Sequence, residues 1–195
     1  MKTKKKIGIR DLTVVAVLAA ISIVLSLTPL GFIPIGPIKA TTMHIPVIVG
    51  GIVRGPLVGG LVGLLFGVTS MIQAVTRPTP FSFVFYNPVV AIVPRVLIGI
   101  VAHYVYRLLA EKLKLNQKIS LLMSASMASL TNTLGVLSLV YIFHGRKYVL
   151  QMGLNPDSAA RVLMGVGLTN GIPEAIVASI IVMGVVGGLK YNLKK

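Results

Sequence analysis

The chain alternates between long apolar segments and short breaks rich in proline, glycine and charge. Six apolar segments separate at these breaks: residues 12–27, 42–53, 56–75, 87–109, 119–143 and 159–189. A helix needs about 20 apolar residues to span a bilayer, and the second segment is too short to do so. The pattern predicts an all-α membrane protein, in which residues 1–195 form one compact six-helix domain with a short second helix.

Signals at the segment boundaries support these helices. Asp11 precedes the first segment and is predicted to be its N-cap. Pro56 follows a tight "RGP" turn and lies in the first turn of the third helix, where proline is tolerated. Gly59, Gly63 and Gly67 recur every fourth residue, which places them on one helix face. We expect this face to pack closely against other helices inside the bundle.

Composition supports a membrane protein. Hydrophobic residues make up 55% of the 195 residues, the mean hydropathy is +0.90 and only 12% of residues are charged, against about 25% in soluble domains. The net charge is +15, and there is no cysteine. Such a basic chain could suggest that the protein binds nucleic acid. Because the hydropathy indicates a membrane protein, we interpret the basic residues as markers of its orientation in the membrane. We expect no nucleic-acid partner.

The positive-inside rule favours an arrangement with both termini in the cytoplasm. The inner side then carries 13 of the 19 basic residues. These are Lys2, Lys4, Lys5, Lys6, Arg10, Arg54, Arg107, Lys112, Lys114, Lys118, Lys190, Lys194 and Lys195. The outer loops carry Lys39, Arg77, Arg146 and Lys147 and are the longer, proline-rich ones, so a ligand site is expected outside.

Polar side chains inside the apolar segments are the main site candidates. Arg95 follows Pro94, and Glu174 is the single acidic residue inside any of the six segments. An arginine near the bilayer centre costs about 2.5–3.5 kcal/mol on insertion scales, so it needs a partner. An Arg95–Glu174 ion pair is the simplest account. Alternatively, both line a binding site with Asn132 and Asn170, which lie at similar depth.

Two further features are open to two interpretations each. Ala16 and Ala20 lie four residues apart on the first helix, where they either pack internally or contact another protein's helix. His44 either caps and packs the second helix or contacts ligand. Asn87, at the start of the fourth segment, is another candidate ligand contact.

The sequence lacks the motifs that are typical of several classes of enzyme. There is no P-loop, no pair of acids for Mg²⁺, no serine elbow and no metalloprotease motif. No His, Asp or Glu residues have metal-ligand spacing. We expect no catalytic residue, no metal and no cofactor. Two rivals stay open: a small membrane enzyme acting on lipid, and a self-contained carrier or channel.

The stretches "AVLAA" and "IPVIVGGIVRGPLVGGLVGLLFGVTS" carry a family resemblance over essentially the whole chain. The sequence resembles the substrate-binding S components of energy-coupling factor (ECF) vitamin transporters. "MHIPVIVGGIVRGP", "FSFVFYNP" and "PRVLIG" look most like the pantothenate-type members.

The resemblance implies a multi-pass protein of the bacterial plasma membrane that binds a vitamin on its outer side. It would dock on a transmembrane coupling subunit through Ala16 and Ala20, while two separate ATPase subunits hydrolyse ATP. Residues 28–41 would form a lid over the site, and Lys39 and Arg77 would add cations near it. Pantothenate is favoured, and riboflavin, pyrimidine or folate-like ligands stay open.

The predicted topology can be tested by cysteine labelling, because the chain has no native cysteine. Single cysteines at Lys39, Arg77 and Lys147 should react with an impermeant thiol reagent added to whole cells. A cysteine at Lys114 should react only after permeabilisation. External labelling at Lys114 would contradict the arrangement with both termini inside.

Overall fold

The fold is known from a computed structural model, which describes residues 7–35 and 38–192. The side chains of residues 34, 35, 38, 39 and 190–192 are not described. The predicted inner cations Lys2, Lys4, Lys5, Lys6, Lys194 and Lys195, and the side chains of Lys39 and Lys190, therefore lie outside the described part of the chain.

Six α-helices form the described bundle: α1 (Ile9–Leu27), α2 (Ile45–Arg54), α3 (Pro56–Thr76), α4 (Pro88–Arg107), α5 (Gln117–Gln151) and α6 (Ala159–Asn192). Two antiparallel strands, β1 (Phe32–Ile35) and β2 (Ile38–Thr41), lie between α1 and α2. Short 3₁₀ turns occupy Pro29–Gly31, Ser82–Tyr86 and Pro156–Ser158, and a π turn Leu108–Lys112 ends the fourth helix.

The described residues are mainly helical, as predicted, and the β1–β2 hairpin is an addition to that prediction. The prolines of this segment suggested an irregular loop, but β-branched Ile33, Ile35 and Ile38 favour strands. Phe32 lies opposite Thr41 at the base of the hairpin, next to the helices. An isolated two-stranded hairpin is marginal in water, so this one depends on its contacts with the bundle.

Five of the described helices are long and apolar enough to cross a membrane, and α2 is the exception. At about 1.5 Å per residue, its ten residues cover about half of a hydrocarbon core of ~30 Å. The residues from Ile45 to Ile52 are all buried. A helix enclosed by other helices can end inside the membrane, because protein and not lipid surrounds its polar ends. The predicted short second helix is confirmed.

Helix α5 is longer than predicted. It has 35 residues and continues beyond residue 143 to Gln151, through most of the stretch predicted to be an outer loop. No proline interrupts this stretch. Val149 is fully buried, and the Tyr148 ring lies 4.9 Å from the ring of Phe81. These contacts bury an apolar face of the extension. The charged residues of the stretch hid this face in the sequence pattern.

The start of α1 also differs from the prediction. Gly8 is the N-cap residue, and Asp11 lies three residues into the helix. The Asp11 carboxylate accepts a hydrogen bond from the Gly8 backbone N–H at 3.3 Å. Oδ1 of Asp11 also accepts from Nε and Nη2 of Arg54, at 2.9 and 2.5 Å. Asp11 therefore joins the start of α1 to the end of α2.

The glycine face of α3 packs inside the bundle, as predicted. A Cβ atom at Gly59 would lie 2.7 Å from Cα of Gly51 and 2.8 Å from Cα of Gly99. A Cβ atom at Gly67 would lie 2.7 Å from the carbonyl oxygen of Ala91. These are backbone atoms, which cannot move aside cheaply. The glycines therefore let α2, α3 and α4 approach until their backbones touch.

Adjacent glycines of α3 allow a matched test of this packing. Gly59→Ala should destabilise the protein by about 1–3 kcal/mol through overpacking. Gly60→Ala should be neutral or stabilising by up to ~1 kcal/mol, since alanine favours helix. A Cβ atom at Gly60 meets only Cγ1 of Val96, at 3.7 Å. Thermal unfolding in detergent measures the stability of both variants. Equal unfolding midpoints would contradict the close approach of α3 to α2 and α4 at Gly59.

Candidate functional site

A cavity of about 500 Å³ opens at the end of the bundle that carries the hairpin. Its walls come from the hairpin, the turn Ser82–Tyr86 and all of the helices except α2. The volume falls within the ~300–1,000 Å³ typical of small-molecule sites. Its central polar residues are Thr41, Arg95, Asn132, Thr133, Asn170 and Glu174. The four polar residues predicted inside the apolar segments are therefore brought together at one cavity.

Arg95 is held in place by the proline that precedes it. Pro94 has no N–H, so it leaves the carbonyl of Val90, four residues earlier, without its helical donor. Nη1 of Arg95 donates a hydrogen bond to this carbonyl oxygen at 2.8 Å. The guanidinium also lies 4.9 Å from the ring centre of Phe85 and 5.7 Å from that of Phe66. Contacts of this kind stabilise a cation by up to about 2 kcal/mol in desolvated sites.

Two buried polar atoms at the cavity have no hydrogen-bond partner among the described residues. They are Nε of Arg95, a donor, and Oδ1 of Asn132, an acceptor. Arg95 is only 6% exposed. Buried polar groups are normally paired, because leaving one unsatisfied costs about 1–3 kcal/mol. A ligand that accepts from Arg95 and donates to Asn132 would satisfy both.

Glu174, in contrast, has partners on two other elements. Its Oε1 accepts from the backbone N–H of Thr41 at 3.1 Å and from the Thr41 hydroxyl at 2.8 Å. Its Oε2 accepts from the Thr133 hydroxyl at 3.3 Å. One buried carboxylate therefore links β2 and α5 to α6.

The predicted Arg95–Glu174 ion pair is wrong. The two ion pairs found within residues 7–35 and 38–192 are Arg54–Asp11 and Arg107–Glu111. Arg95 and Glu174 line the same cavity, but each is stabilised by other groups. Arg95 bonds within its own helix and Glu174 bonds β2 and α5, and this leaves the cation free to meet an anion.

The remaining candidates divide between cavity and scaffold. Arg77 lines the cavity near its exposed rim. Lys39 lies in β2, with its side chain outside the described residues. His44 is 1% exposed, lies 3.1 Å from the hydroxyl of Ser129 through Nε2, and is not a lining residue. Asn87 caps α4 by accepting from the N–H of Val89 at 3.0 Å. The structure thus places His44 and Asn87 in the scaffold.

The sequence analysis missed several lining residues. Gln73 of α3 donates to the hydroxyl of Ser26 on α1 at 2.5 Å, and both line the cavity. An amide in an otherwise apolar helix was a usable signal for Gln73. Thr133 gave no signal, because threonine in a membrane helix commonly bonds its own backbone. The aromatic walls Phe66 and Phe85 look like ordinary apolar positions in the sequence.

Ala16 and Ala20 lie on the exposed face of α1, whereas Val15, Ala19 and Ser22 face the bundle. The alternative that these two alanines pack internally is therefore wrong. The exposed face that contains them consists of small and aliphatic side chains, including Val17 and Val24. It is open to lipid or to a helix of another protein.

Residues 10–186 match the profile of a family described as "ECF transporter, substrate-specific component". The chain belongs to this family. It is accordingly a multi-pass protein of the cell membrane and a component of a transporter, which is not itself an enzyme. The alternative of a lipid-modifying enzyme is thereby set aside. Within the described residues no group of three or more His, Asp or Glu side chains could hold a metal ion.

Named relatives agree with the family match. The chain is 30% identical to the "Pantothenic acid transporter PanT" of Lactococcus lactis over 194 residues, covering 88% of this chain and 96% of the relative. It is 27% identical to the "Pantothenate transporter PanT" of Leuconostoc mesenteroides, covering 82% and 81%. A solved structure of ThiT from Listeria monocytogenes superposes with a TM-score of 0.56 at 21% identity, covering 88% and 92%. That likeness establishes a shared fold.

Proposed function

We propose that this chain binds pantothenate in the cavity at the hairpin end and presents it for ATP-driven uptake. The observation that carries the proposal is the buried Arg95 guanidinium, whose Nε lacks a partner and which has no carboxylate in ion-pair contact among the described residues. Such a cation suits an anionic ligand. Two relatives named as pantothenate transporters support the choice of anion.

Pantothenate offers matching groups along its length. Its carboxylate would accept from Arg95, and its hydroxyl or amide N–H groups would donate to Oδ1 of Asn132. Asn170 would serve the other polar groups. Riboflavin and pyrimidines are neutral and would leave Arg95 without an anionic partner, so they fit this cavity less well.

The proposal includes an orientation. Both termini would lie in the cytoplasm, as the distribution of basic residues favours, so the hairpin end would face outward. The β1–β2 hairpin would then be the lid of the site. Phe32 and Thr41 support this assignment, because both line the cavity from the hairpin. Lys39 in β2 would add positive charge near the entrance.

The remaining parts of the transporter would be separate proteins. A transmembrane coupling subunit would dock on the α1 face that contains Ala16 and Ala20, and two ATPase subunits would supply the energy. Small side chains let helices approach closely in a membrane, where apolar burial alone gives no driving force. Residues 1–195 would act as one integral-membrane domain in contact with lipid, with no cofactor of their own.

Arg95→Ala should weaken pantothenate binding by about tenfold to a hundredfold, since a hydrogen bond to a charged group contributes roughly 1.5–3 kcal/mol. Isothermal titration calorimetry of the purified protein measures the affinity. The matched control is Arg77→Ala, which removes an exposed cation at the same cavity and should have a smaller effect.

The ligand offers a second control. In pantothenol a hydroxymethyl group replaces the carboxylate, so the wild type should prefer pantothenate strongly. Arg95→Ala should lose most of that preference, because the partner of the carboxylate is gone. Wild-type affinity in a folded Arg95→Ala variant, or an undiminished preference for pantothenate, would show that Arg95 does not bind the carboxylate.

Ala20→Trp should abolish uptake by the assembled transporter and leave pantothenate affinity nearly unchanged. The bulky ring would keep a partner helix away from α1 without reaching the cavity. Uptake of labelled pantothenate into proteoliposomes and calorimetry on the isolated chain measure the two effects.

Ala160→Trp provides the control, since it makes the same change at an exposed alanine of α6. Its uptake should resemble that of the wild type. If Ala20→Trp loses affinity together with uptake, or if both variants lose uptake equally, the α1 face is not a specific docking surface.

A further inference from the structure

Hydrogen bonds to a single carboxylate hold the base of the hairpin against α6. The Thr41 backbone N–H and hydroxyl both donate to Oε1 of Glu174. The other threonine at this end, Thr42, donates from its hydroxyl to the carbonyl of Leu30, at 3.2 Å, and therefore stays within the hairpin segment. The contact with Glu174 is of a different kind, because it joins the hairpin to α6.

The acceptor capacity of Glu174 is largely used by these contacts. Oε1 has two donors, which matches its two lone pairs. Oε2 accepts from Thr133, whose hydroxyl also lies 3.5 Å from the carbonyl of Ser129 in its own helix. Glu174 is 7% exposed, and a buried carboxylate without such donors would be strongly disfavoured. Its partners are therefore protein groups, in contrast to the unsatisfied atoms of Arg95 and Asn132.

We propose that Glu174 is a latch that holds the hairpin closed over the cavity, and that it is a positioning residue and not a ligand contact. This proposal rests on the binding function proposed above. Phe32 and Thr41 are register partners at the hairpin base, so their side chains lie on the same face. Fixing Thr41 to α6 therefore fixes the face of the hairpin that covers the cavity.

The latch separates two tasks within one cavity. Arg95 and Asn132 supply the groups that a ligand must satisfy. Glu174 controls how long the hairpin stays closed over the cavity. The two hydrogen bonds from Thr41 also stabilise the negative charge of Glu174. An anionic ligand can therefore bind in the same cavity. When the hairpin lifts, Glu174 loses two hydrogen bonds, and this loss opposes opening whether or not a ligand is present.

The test uses a ligand-free readout, so its outcome is independent of which vitamin binds. Ser70 lines the cavity, and its hydroxyl bonds the carbonyl of Phe66 in its own helix. Ser70→Cys would place the protein's single thiol under the hairpin. In purified protein without ligand, the rate of its reaction with a polar maleimide reports how often the hairpin opens.

Thr41→Val removes the hydroxyl donor but keeps the backbone N–H, and Glu174→Gln removes the charge of the acceptor. Each should raise this labelling rate by up to about tenfold, and the double variant should exceed the stronger single variant by little, since both weaken the same contact. Thr131→Val is the matched control, because the Thr131 hydroxyl donates at 2.7 Å to the carbonyl of Met127 in its own helix. Its labelling rate should equal that of the wild type.

Ligand dissociation gives the second readout. Thr41→Val leaves the charge of Glu174 in place, so it should speed the release of pantothenate and of pantothenol by the same factor, because a latch acts on the hairpin and not on the carboxylate of the ligand. Unchanged labelling in Thr41→Val and Glu174→Gln, or additive effects in the double variant, would overturn the latch. A change in the preference between the two ligands in Thr41→Val would also overturn the latch, because it would place the effect at the ligand and not at the hairpin. If Glu174→Gln does not fold, Thr41→Val on the hairpin decides alone.

Discussion

A buried polar group in a membrane bundle has no water to bond, so it must find its partners within the protein. Arg95 meets this requirement with a carbonyl in its own helix, because Pro94 leaves the oxygen of Val90 without a helical donor. The aromatic rings of Phe66 and Phe85 stabilise the rest of the guanidinium. The proline thus creates the acceptor that allows an arginine to lie in an apolar helix, and Nε is left over for a ligand.

The same requirement explains why two opposite charges share a cavity without pairing. Glu174 is satisfied by Thr41 and Thr133, and Arg95 is satisfied in part by its own helix and the aromatic rings. A direct ion pair would neutralise the cation and leave it unavailable to an anion. Separate partners keep the charges distinct, so that one can contact the ligand while the other holds the cover.

Close helix packing makes the geometry rigid. Gly63 of α3 lies directly against the backbone of Arg95, where any Cβ atom would collide. Gly51, Gly59 and Gly99 bring α2, α3 and α4 into backbone contact. This packing encloses the short α2 and fixes the part of α4 that carries Arg95. A scaffold built from backbone contacts has few ways to relax, which suits a site that must present one unpaired donor.

The amino-acid sequence was enough to predict the six helices, the short second one, the close packing of the α3 glycines and the grouping of Arg95, Asn132, Asn170 and Glu174 at one depth. These features follow from residue spacing within single segments. The sequence did not show that His44 lies against Ser129, that α5 continues to Gln151 or that residues 32–41 form a hairpin on α6. These features depend on distances of a few ångströms between segments far apart in the chain, and helical periodicity does not specify such distances. The bonds of Arg95 to Val90 and of Asn87 to Val89 are local, but which partner each side chain takes is settled by the tertiary structure.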